Sequence, residues 1–281
     1  MCILQKEILQ FRKTIWKFYT KHKRNFPWRR TRNPYAILIS EVMLQQTQVE
    51  RVVPFFNRWM KKFPTVEVLA RAPLKEVLPG WQGLGYNRRA LALKGSAEMI
   101  MKEYGGIFPK SIEEIDALPG VGPYTAGAIA AFAFNAPSVF IETNIRTVYL
   151  HFFFKGRANV RDEQILALVA QTLPNKVRPF SRYKVEPCSV REWYNALMDY
   201  GAMLKATVGN LNIKSASYAK QSSFKGSKRE LRGEILRRAT KGKVTSADFT
   251  EAHSGFPPME ILLELVKEGF LRREGSGFRL A

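Results

Sequence analysis

The sequence predicts a mainly α-helical protein that ends in a small α+β module. Three observations predict this class: apolar residues recur at helical spacing along most of the chain, a glycine-rich turn joins two helical segments, and alternating residues appear near the end. At 281 residues, 46% of them hydrophobic, the chain is long enough for two or three compact units. A polar stretch over residues 211–227 is expected to be a linker.

Charge is the strongest feature of the composition. Lys and Arg number 45 against 24 Asp and Glu, which gives a formal net charge of +21. This excess favours a nucleic-acid partner because the basic residues occur throughout the chain. Lysine that only keeps the chain soluble is the alternative. No run of 18 apolar residues and no signal-peptide pattern occurs, so we expect no membrane partner and a cytoplasmic protein.

Metal-ligating residues are few. The two cysteines, Cys2 and Cys188, lie far apart, and the three histidines have no ligand spacing. A cluster held by cysteines alone needs four thiolates. The sequence therefore predicts no metal site and no iron–sulfur cluster.

The first helix is predicted over residues 3–20, where apolar residues recur at i, i+4, i+7 and i+11. Basic residues follow, and Pro27 ends the helix. Trp28 and Arg29 come next, on a loop. They could face a base, or the tryptophan could anchor the core while the arginine stays in solvent; the residues alone favour neither.

Residues 34–60 predict one or two helices. Ile37, Glu41 and Leu44 share a helical face, so Glu41 lies among apolar neighbours. A carboxyl group buried there is expected to be neutral, as a general acid must be. A glutamate in solvent at the helix edge is the alternative that spacing alone favours. Residues 45–48 then form a dense cluster of amides with one hydroxyl.

A second loop, residues 83–86, has the sequence Gly-Leu-Gly-Tyr. Its leucine and tyrosine could insert between stacked bases, although such side chains usually pack into the core. Arg88 and Arg89 follow and suit either phosphates or solvent.

The most informative stretch is residues 118–126, Leu-Pro-Gly-Val-Gly-Pro-Tyr-Thr-Ala. Two glycines around one apolar residue allow a tight turn with positive φ. Ser111 and Glu114 before it have the spacing of a capping box, and Pro123 suits the first turn of a following helix. The pattern predicts a helix, a hairpin and a helix whose first N–H groups can hold a phosphate oxygen. An ordinary helix corner is the alternative.

Glu142 follows the apolar run 139–141 and precedes another predicted helix. A carboxylate near a helix N-terminus is stabilised as the anion. Capping of the helix is the role that its position alone favours over catalysis.

Residues 228–281 differ from the rest of the chain. A basic helix, a short segment over 244–249, a helix over 259–267 and an alternating pattern across Gly-Ser-Gly predict three short helices and a hairpin. This order is similar to a winged-helix module, which commonly binds DNA. A protein-binding module is the alternative.

Taken together, four motifs resemble the helix–hairpin–helix DNA glycosylases in order and spacing. They are Pro27-Trp28-Arg29, Ser40–Val49, Gly83–Tyr86 and Leu118–Ala126. Within that superfamily the sequence is most similar to the adenine DNA glycosylases, which remove adenine mispaired with guanine or 8-oxoguanine. The resemblance covers about residues 4–205. It implies a monomeric base-excision-repair protein, associated with the nucleoid, that acts on double-stranded DNA with a mispaired or damaged base.

The resemblance also implies a two-lobed fold. One lobe is expected over residues 1–27 and 136–210, and a six-helix lobe with the glycine hairpin over 28–135. The winged-helix-like module over 228–281 stands where relatives have a nucleotide-hydrolase-like domain that reads 8-oxoguanine. Preference for 8-oxoguanine therefore does not carry over with the resemblance.

Roles for individual residues follow from the resemblance. Glu41 matches the acid that protonates the flipped adenine, and Asn144 matches an asparagine that orients the site. Tyr124 stands where lyase relatives have lysine, which implies hydrolysis without a Schiff base. The implied base-pocket residues are Trp28, Arg29, Leu44, Val49 and Asn195. The implied DNA contacts are Gln46, Thr47, Gln48, Leu84, Tyr86, Arg88, Gly120, Val121, Gly122 and Thr125.

Two positions depart from the family's pattern. Glu142 stands where the family has a catalytic aspartate, and its extra methylene moves the carboxylate by on the order of 1 Å. Lys205 stands at the first of four cluster cysteines, and the other three are absent. Basic residues are therefore expected to orient that loop by charge.

Cleavage of an N-glycosidic bond needs a protonated acid and an ionised carboxylate, so Glu41 is expected to be the neutral acid and Glu142 the anion. A mismatch glycosylase for thymine, uracil or hypoxanthine is an alternative, because relatives on this fold differ mainly in the pocket lining. A damage-binding protein without catalysis is a third reading, supported by the exchange at position 142.

Overall fold

The computed structural model describes residues 3–174, 189–220, 223–249 and 255–281. The described residues form thirteen α-helices and one two-stranded sheet, which confirms the predicted mainly helical class. The helices are α1 (Ile3–His22), α2 (Pro34–Leu44), α3 (Val49–Lys62), α4 (Val66–Arg71), α5 (Leu74–Trp81), α6 (Arg88–Glu103), α7 (Ile112–Asp116), α8 (Pro123–Phe134), α9 (Thr143–Phe153), α10 (Asp162–Thr172), α11 (Val190–Thr207), α12 (Lys228–Ala239) and α13 (Pro258–Lys267). The strands are β1 (Leu271–Glu274) and β2 (Gly277–Leu280).

The chain divides into two compact units. The first unit comprises Met1–Leu38, Lys110–Ala117 and Val121–Lys220, and the second comprises Ile39–Pro109, Leu118–Gly120 and Gln221–Ala281. These boundaries differ from the predicted lobes, because residues 28–38, 110–117 and 121–135, which were predicted in the six-helix lobe, belong to the first unit. Helix α8 belongs to the first unit, where residues 125–133 are all buried. The C-terminal module shares the second unit with residues 39–109.

An aromatic core holds α1, α9 and α11 together in the first unit. The Phe11 ring lies 5.3 Å from the Tyr149 ring and 5.8 Å, edge-on, from Trp193. Arg12 on the same helix donates two hydrogen bonds to the carbonyl of Thr172 and one, at 2.7 Å, to that of Leu173. These bonds satisfy carbonyls that the end of α10 leaves without helical partners. Phe11, a residue of the apolar stripe predicted for α1, thus faces the core.

The predicted linker over residues 211–227 is largely part of the first unit. A 3-10 turn, Leu211–Lys214, places a buried Asn212 side chain whose amide donates to Thr147 Oγ1 at 2.9 Å. The backbone of Val160 pairs with that of Lys214 and Ala216, each hydrogen bond being 2.9 Å long. Hydrogen bonds therefore hold this segment, and its orientation by basic residues stays a prediction.

The second unit has a tryptophan core. The rings of Trp59 on α3 and Trp81 on α5 lie 5.5 Å apart and nearly perpendicular. In the C-terminal module, Leu271–Glu274 pairs antiparallel with Gly277–Leu280 across the predicted turn. Val244 bridges to this hairpin through Phe278. Residues 246–248, where a third helix was expected, form only a 3-10 turn. The winged-helix assignment stays a prediction.

Candidate functional site

The glycine hairpin has the predicted local geometry. Ser111 and Glu114 form the capping box at the start of α7, with the Ser111 hydroxyl accepting from the Glu114 N–H at 3.2 Å. Gly120 has a φ of +73°, and a Cβ added there would lie 2.5 Å from the Cβ of Ala92 on α6. Glycine is therefore required both for the turn and for its close approach to α6.

Helix α8 begins as predicted, with Gly122 in an extended cap conformation and Pro123 at the first helical position. Tyr124 is half-buried, and its ring lies 5.7 Å, edge-on, from that of Phe140. The Thr125 side chain is buried, and its predicted contact with DNA stays a prediction.

Glu41 lies on α2 and is only 6% exposed. The preceding Ser40 is also buried, and so are Ile37 and Met43 on the same helix. The reading of Glu41 as a solvated residue at a helix edge is therefore wrong, and its expected burial among apolar neighbours is confirmed. A carboxyl group in such surroundings is costly to ionise without a compensating partner.

Arg89 holds the loop that follows α2. Its guanidinium is buried beneath the end of that helix and donates to the carbonyls of Val42 at 2.9 Å and Met43 at 3.1 Å, and also to that of Gln45. These carbonyls lie at a helix C-terminus, where a cation is favourable. Burial lowers the pKa of Arg89 to about 10, so the side chain stays charged at neutral pH.

The same guanidinium also holds the second loop. Arg89 Nη2 donates to the carbonyls of Leu84 at 3.1 Å and Gly85 at 3.0 Å. One arginine therefore fixes both segments that were predicted to contact DNA, residues 45–48 and 83–86. Sequence reasoning placed Arg89 on phosphate or in solvent, because nothing local shows that α6 returns beneath both loops.

Arg89→Lys is expected to destabilise the protein by about 2–4 kcal/mol, because one ammonium group cannot reach carbonyls on both loops and leaves some of them buried and unsatisfied. Denaturation in urea measures the loss. The control is Arg88→Lys on the neighbouring, exposed residue, which should cost less than about 1 kcal/mol. Equal losses in the two variants would contradict the bridging role.

The two residues of the loop 83–86 that were predicted to insert between bases differ in their exposure. Leu84 is only 6% exposed, because its N–H donates to the Trp81 carbonyl and turns the chain back to the core. Leu84 therefore packs in the core in the absence of DNA, and its insertion into DNA stays a prediction. Tyr86 is 38% exposed and has a φ of +48°, unusual for a residue other than glycine. Of the two side chains, that of Tyr86 is the exposed one, and its contact with DNA stays a prediction.

The Arg88 side chain, which was predicted to contact DNA, binds an acidic residue of the protein. Its guanidinium makes a two-point hydrogen-bonded ion pair with Glu268 on the C-terminal module, with Arg88 Nε donating at 2.9 Å. The hydrogen bond from Arg88, together with Arg232, lowers the pKa of Glu268 to about 2. Arg88 therefore joins two parts of the second unit, and its contact with DNA stays a prediction.

Glu142 is the N-cap residue of α9. Its Oε1 accepts from the Ile145 N–H at 2.8 Å, and its Oε2 accepts from the Asn144 side-chain amide at 3.1 Å. Capping is thereby confirmed. Burial raises the pKa of Glu142, although the hydrogen bonds from Asn144 and Ile145 and the charge of Arg146 oppose this rise. Desolvation thus outweighs these opposing effects in the direction of the pKa shift, and the role of Glu142 as the anion stays a prediction.

Gly201 fixes where that cap sits, and sequence reasoning missed it. A Cβ added to this residue of α11 would lie 2.2 Å from the Asn144 carbonyl oxygen. Helix α11 can therefore pass the start of α9 only at a glycine. The available signal was a glycine inside a predicted amphipathic helix.

Gly201→Ala is expected to displace Asn144 and Glu142, to destabilise the protein by about 1–3 kcal/mol and to lower any activity that uses them about 100-fold. Thermal unfolding and a single-turnover assay measure the two effects. Gly233→Ala on α12 is the matched control, since nothing lies within 4 Å of its added Cβ. That variant should be neutral or slightly more stable. If both variants behave alike, the close approach at Gly201 is not required.

Arg29 is held by an ion pair inside the first unit. It donates to both oxygens of Asp199 on α11, each at 2.9 Å, and Arg24 also donates to this buried carboxylate. Its guanidinium is thus buried and bound by protein, which corrects the reading of a solvated arginine, whereas its place in a base pocket stays a prediction. Trp28 stacks on Phe26 at 5.3 Å, and both Trp28 and Asn195 are buried.

The predicted site residues are divided between the two units. The first unit holds Trp28, Arg29, Val121, Gly122, Tyr124, Thr125, Glu142, Asn144 and Asn195. The second holds Glu41, Leu44, Gln46, Thr47, Gln48, Val49, Leu84, Tyr86, Arg88 and Gly120. Gln46 and Gln48 are exposed, whereas Leu44, Thr47 and Val49 are half-buried at the junction of α2 and α3.

In the described part of the chain, no group of three or more His, Cys, Asp or Glu residues is placed to hold a metal ion. Cys2, Cys188 and His253 lie outside that part. Searching the same residues, we found no helix with the length and apolar character needed to cross a bilayer.

Residues 39–174 match the family described as "HhH-GPD superfamily base excision DNA repair protein". The matched stretch includes the glycine hairpin, Glu41, Glu142 and Asn144. Residues 39–174 thus carry the domain of this superfamily of helix–hairpin–helix proteins, and the predicted resemblance is confirmed.

Comparison with individual proteins gives more specific similarities than the superfamily does. The chain is 36% identical over 197 residues to the adenine DNA glycosylase of Buchnera aphidicola subsp. Baizongia pistaciae and 42% identical over 205 residues to that of Homo sapiens. Each alignment covers 70% of this chain but only 53% and 36% of the relatives, so the chain spans about half or less of their length. Among solved structures, a thermostable thymine-DNA glycosylase matches with a TM-score of 0.61 and 27% identity, over 72% of this chain and 89% of that one.

Proposed function

We propose that this protein is a base-excision-repair DNA glycosylase that hydrolyses the N-glycosidic bond of adenine mispaired with guanine or 8-oxoguanine. The observation that carries the proposal is the buried carboxyl group of Glu41 within the matched stretch 39–174. The similarity to adenine DNA glycosylases, 36% and 42% identity with two of them, supports adenine as the base.

The proposed reaction uses two carboxyl groups. The adenine is first flipped out of the duplex, because its glycosidic bond is otherwise out of reach. Glu41 donates a proton to a ring nitrogen, the bond between the sugar C1′ and the base breaks, and the electron pair leaves with the base. The Glu142 carboxylate stabilises the positive charge on the sugar, and water adds to C1′ with loss of a proton. Asn144 holds the Glu142 carboxylate at 3.1 Å and supports its orientation.

Two features support a reaction by hydrolysis alone and without a cofactor. Tyr124 offers no amine for a Schiff base, so we expect no lyase activity. The sequence has two cysteines, and in the segment where relatives carry a cluster Asn212 instead binds the Thr143 carbonyl at 3.3 Å and Thr147 Oγ1 at 2.9 Å. Protein hydrogen bonds can thus replace a cluster in holding this segment.

The proposed partner is duplex DNA with a mispaired or damaged base, bound by a monomer at the nucleoid. The net charge of +21 supports attraction to the phosphate backbone. The turn at Gly120–Gly122 supports a phosphate contact through backbone N–H groups. Gln46, Gln48 and Tyr86, all exposed, support contacts with bases around the opened pair.

A mismatch glycosylase for thymine is the second candidate function. Similarity to a thermostable thymine-DNA glycosylase, with a TM-score of 0.61, favours it. Both candidates use the same two carboxyl groups and differ in which base the pocket accepts.

A panel of duplexes that differ in one mispair tests both. We expect release of adenine opposite guanine or 8-oxoguanine, with strand breaks only after treatment with hot alkali. Release of thymine, uracil or hypoxanthine instead would support the second candidate. Strand breaks without alkali would show lyase activity and contradict the role of Tyr124. Tight binding of the mispairs without any base release would support a protein that only senses damage.

A further inference from the structure

The C-terminal module contacts the exposed tyrosine of the second loop. Arg229, near the start of α12, donates a hydrogen bond to the Tyr86 hydroxyl, and its guanidinium lies 5.3 Å from the centre of the Tyr86 ring. The Arg89 guanidinium lies 5.6 Å from the same ring. Two cations thus restrain a side chain that is otherwise one of the more exposed aromatic residues of the second unit.

Two further contacts tie the module to residues beside this loop. Gln82 donates to Thr240 Oγ1 at 3.1 Å, at the end of α12. Arg88 pairs with Glu268, which Arg232 also binds. The module therefore contacts Gln82 before the loop, Tyr86 in the loop and Arg88 after it. All these residues lie in the second unit.

We propose that the C-terminal module positions Tyr86 through Arg229, so that the tyrosine is aimed at the gap beside a flipped base. The inference rests on the proposed function. Arg229 is a positioning residue: its contact is with Tyr86 and not with the reacting base. The module thereby has a role in base flipping that does not require it to bind DNA itself.

Ordering the Tyr86 side chain costs conformational entropy. A tyrosine on an exposed loop loses rotamer freedom when it enters a duplex, and a side chain already held in one orientation loses less. The hydrogen bond to the hydroxyl selects the ring's orientation, and the positive φ of Tyr86 fixes where its Cβ points. Removing Arg229 should therefore slow flipping more than it weakens binding.

The test is a mutant cycle of Arg229→Ala, Tyr86→Phe and the double variant, with excision measured in single turnover at saturating enzyme. Loss of one hydrogen bond predicts a rate about 2- to 12-fold lower in each single variant. The double variant should be no slower than the slower single one, because both remove the same contact. Arg229→Lys should restore part of the rate, since it can still donate to the hydroxyl.

Arg237→Ala is the matched control. It removes the same charge from the same helix, and its side chain is 53% exposed and lies 3.8 Å from Glu234. We expect weaker binding from the lost charge but an unchanged single-turnover rate. Additive effects of Arg229→Ala and Tyr86→Phe, or equal rates for Arg229→Ala and Arg237→Ala, would overturn the inference.

A readout without excision separates this inference from the proposed function. A duplex with 2-aminopurine beside the target adenine reports unstacking by fluorescence, measured in a Glu41→Gln background. We expect the fluorescence rise to fall with Arg229→Ala and not with Arg237→Ala. A fluorescence rise that depends on Arg229, in a protein that releases no base, would overturn only the glycosylase function. Normal excision with no dependence on Arg229 would overturn only the positioning role.

Discussion

Glu41→Gln is expected to lower the single-turnover rate of base excision by about 100- to 10,000-fold, the contribution of a general acid. Glutamine has nearly the same size and shape as a protonated glutamate but has no acidic proton to give. Affinity for the mispaired duplex should change by less than about threefold, because a neutral group replaces a neutral group. Rates at saturating enzyme and gel-shift affinities measure the two quantities separately.

Glu98→Gln provides the control for this substitution. Glu98 is exposed on α6 of the same unit and forms an ion pair with Lys94, so removing its charge should leave the excision rate unchanged. Equal excision by Glu41→Gln and wild type would remove Glu41 from the chemistry. A Glu41→Gln variant that unfolds would instead show that the carboxyl group is needed for structure.

The features that sequence could predict are local ones. Helix α1, the capping box of Ser111 and Glu114 and the turn at Gly120 each depend on residues within a few positions of one another, and each was found where expected. The burial of Glu41 is also local in origin, because it follows from the apolar residues one turn away on α2.

The features that sequence could not show depend on distant residues. Arg89 binds carbonyls more than forty positions before it in the chain, at the end of α2, as well as those four and five positions before it. Asp199 holds Arg29, 170 positions away. An isolated arginine or glycine in a helix carries no sign of what the rest of the chain brings beside it. The same holds for Leu84, whose burial depends on the turn back to Trp81.

Two opposing effects act on the pKa of Glu142, and the larger one sets the direction of its shift. A helix N-terminus and two hydrogen bonds favour the anion, and burial disfavours it. The sequence reveals only the first effect, because capping can be read from neighbouring residues. Burial depends on how the first unit packs around α9, and it is the larger effect here.

Glu142→Gln is expected to lower the excision rate by about 100- to 1,000-fold, because an amide carries no charge to stabilise the sugar cation. The fold should survive. The glutamine oxygen can still accept from the Ile145 N–H, and the Asn144 amide can turn to present its own oxygen to the new NH2 group. Glu142→Asp keeps a charged cap of the preferred type and is expected to retain activity, or to exceed it. Complete loss in this variant would show a site built around the longer side chain.

The raised pKa of Glu142 gives this prediction a pH dependence. The folded protein binds the proton more tightly than the unfolded chain, so ionising Glu142 costs stability as the pH rises from its ordinary value through the raised one. Activity should rise over the same range as the carboxylate forms. Glu142→Gln should therefore be at least as stable as wild type at pH 8, with the difference shrinking towards pH 4, as measured by thermal unfolding. A variant whose stability deficit grows with pH would mean that the folded protein favours the anion, and would reverse the sign argued for this site.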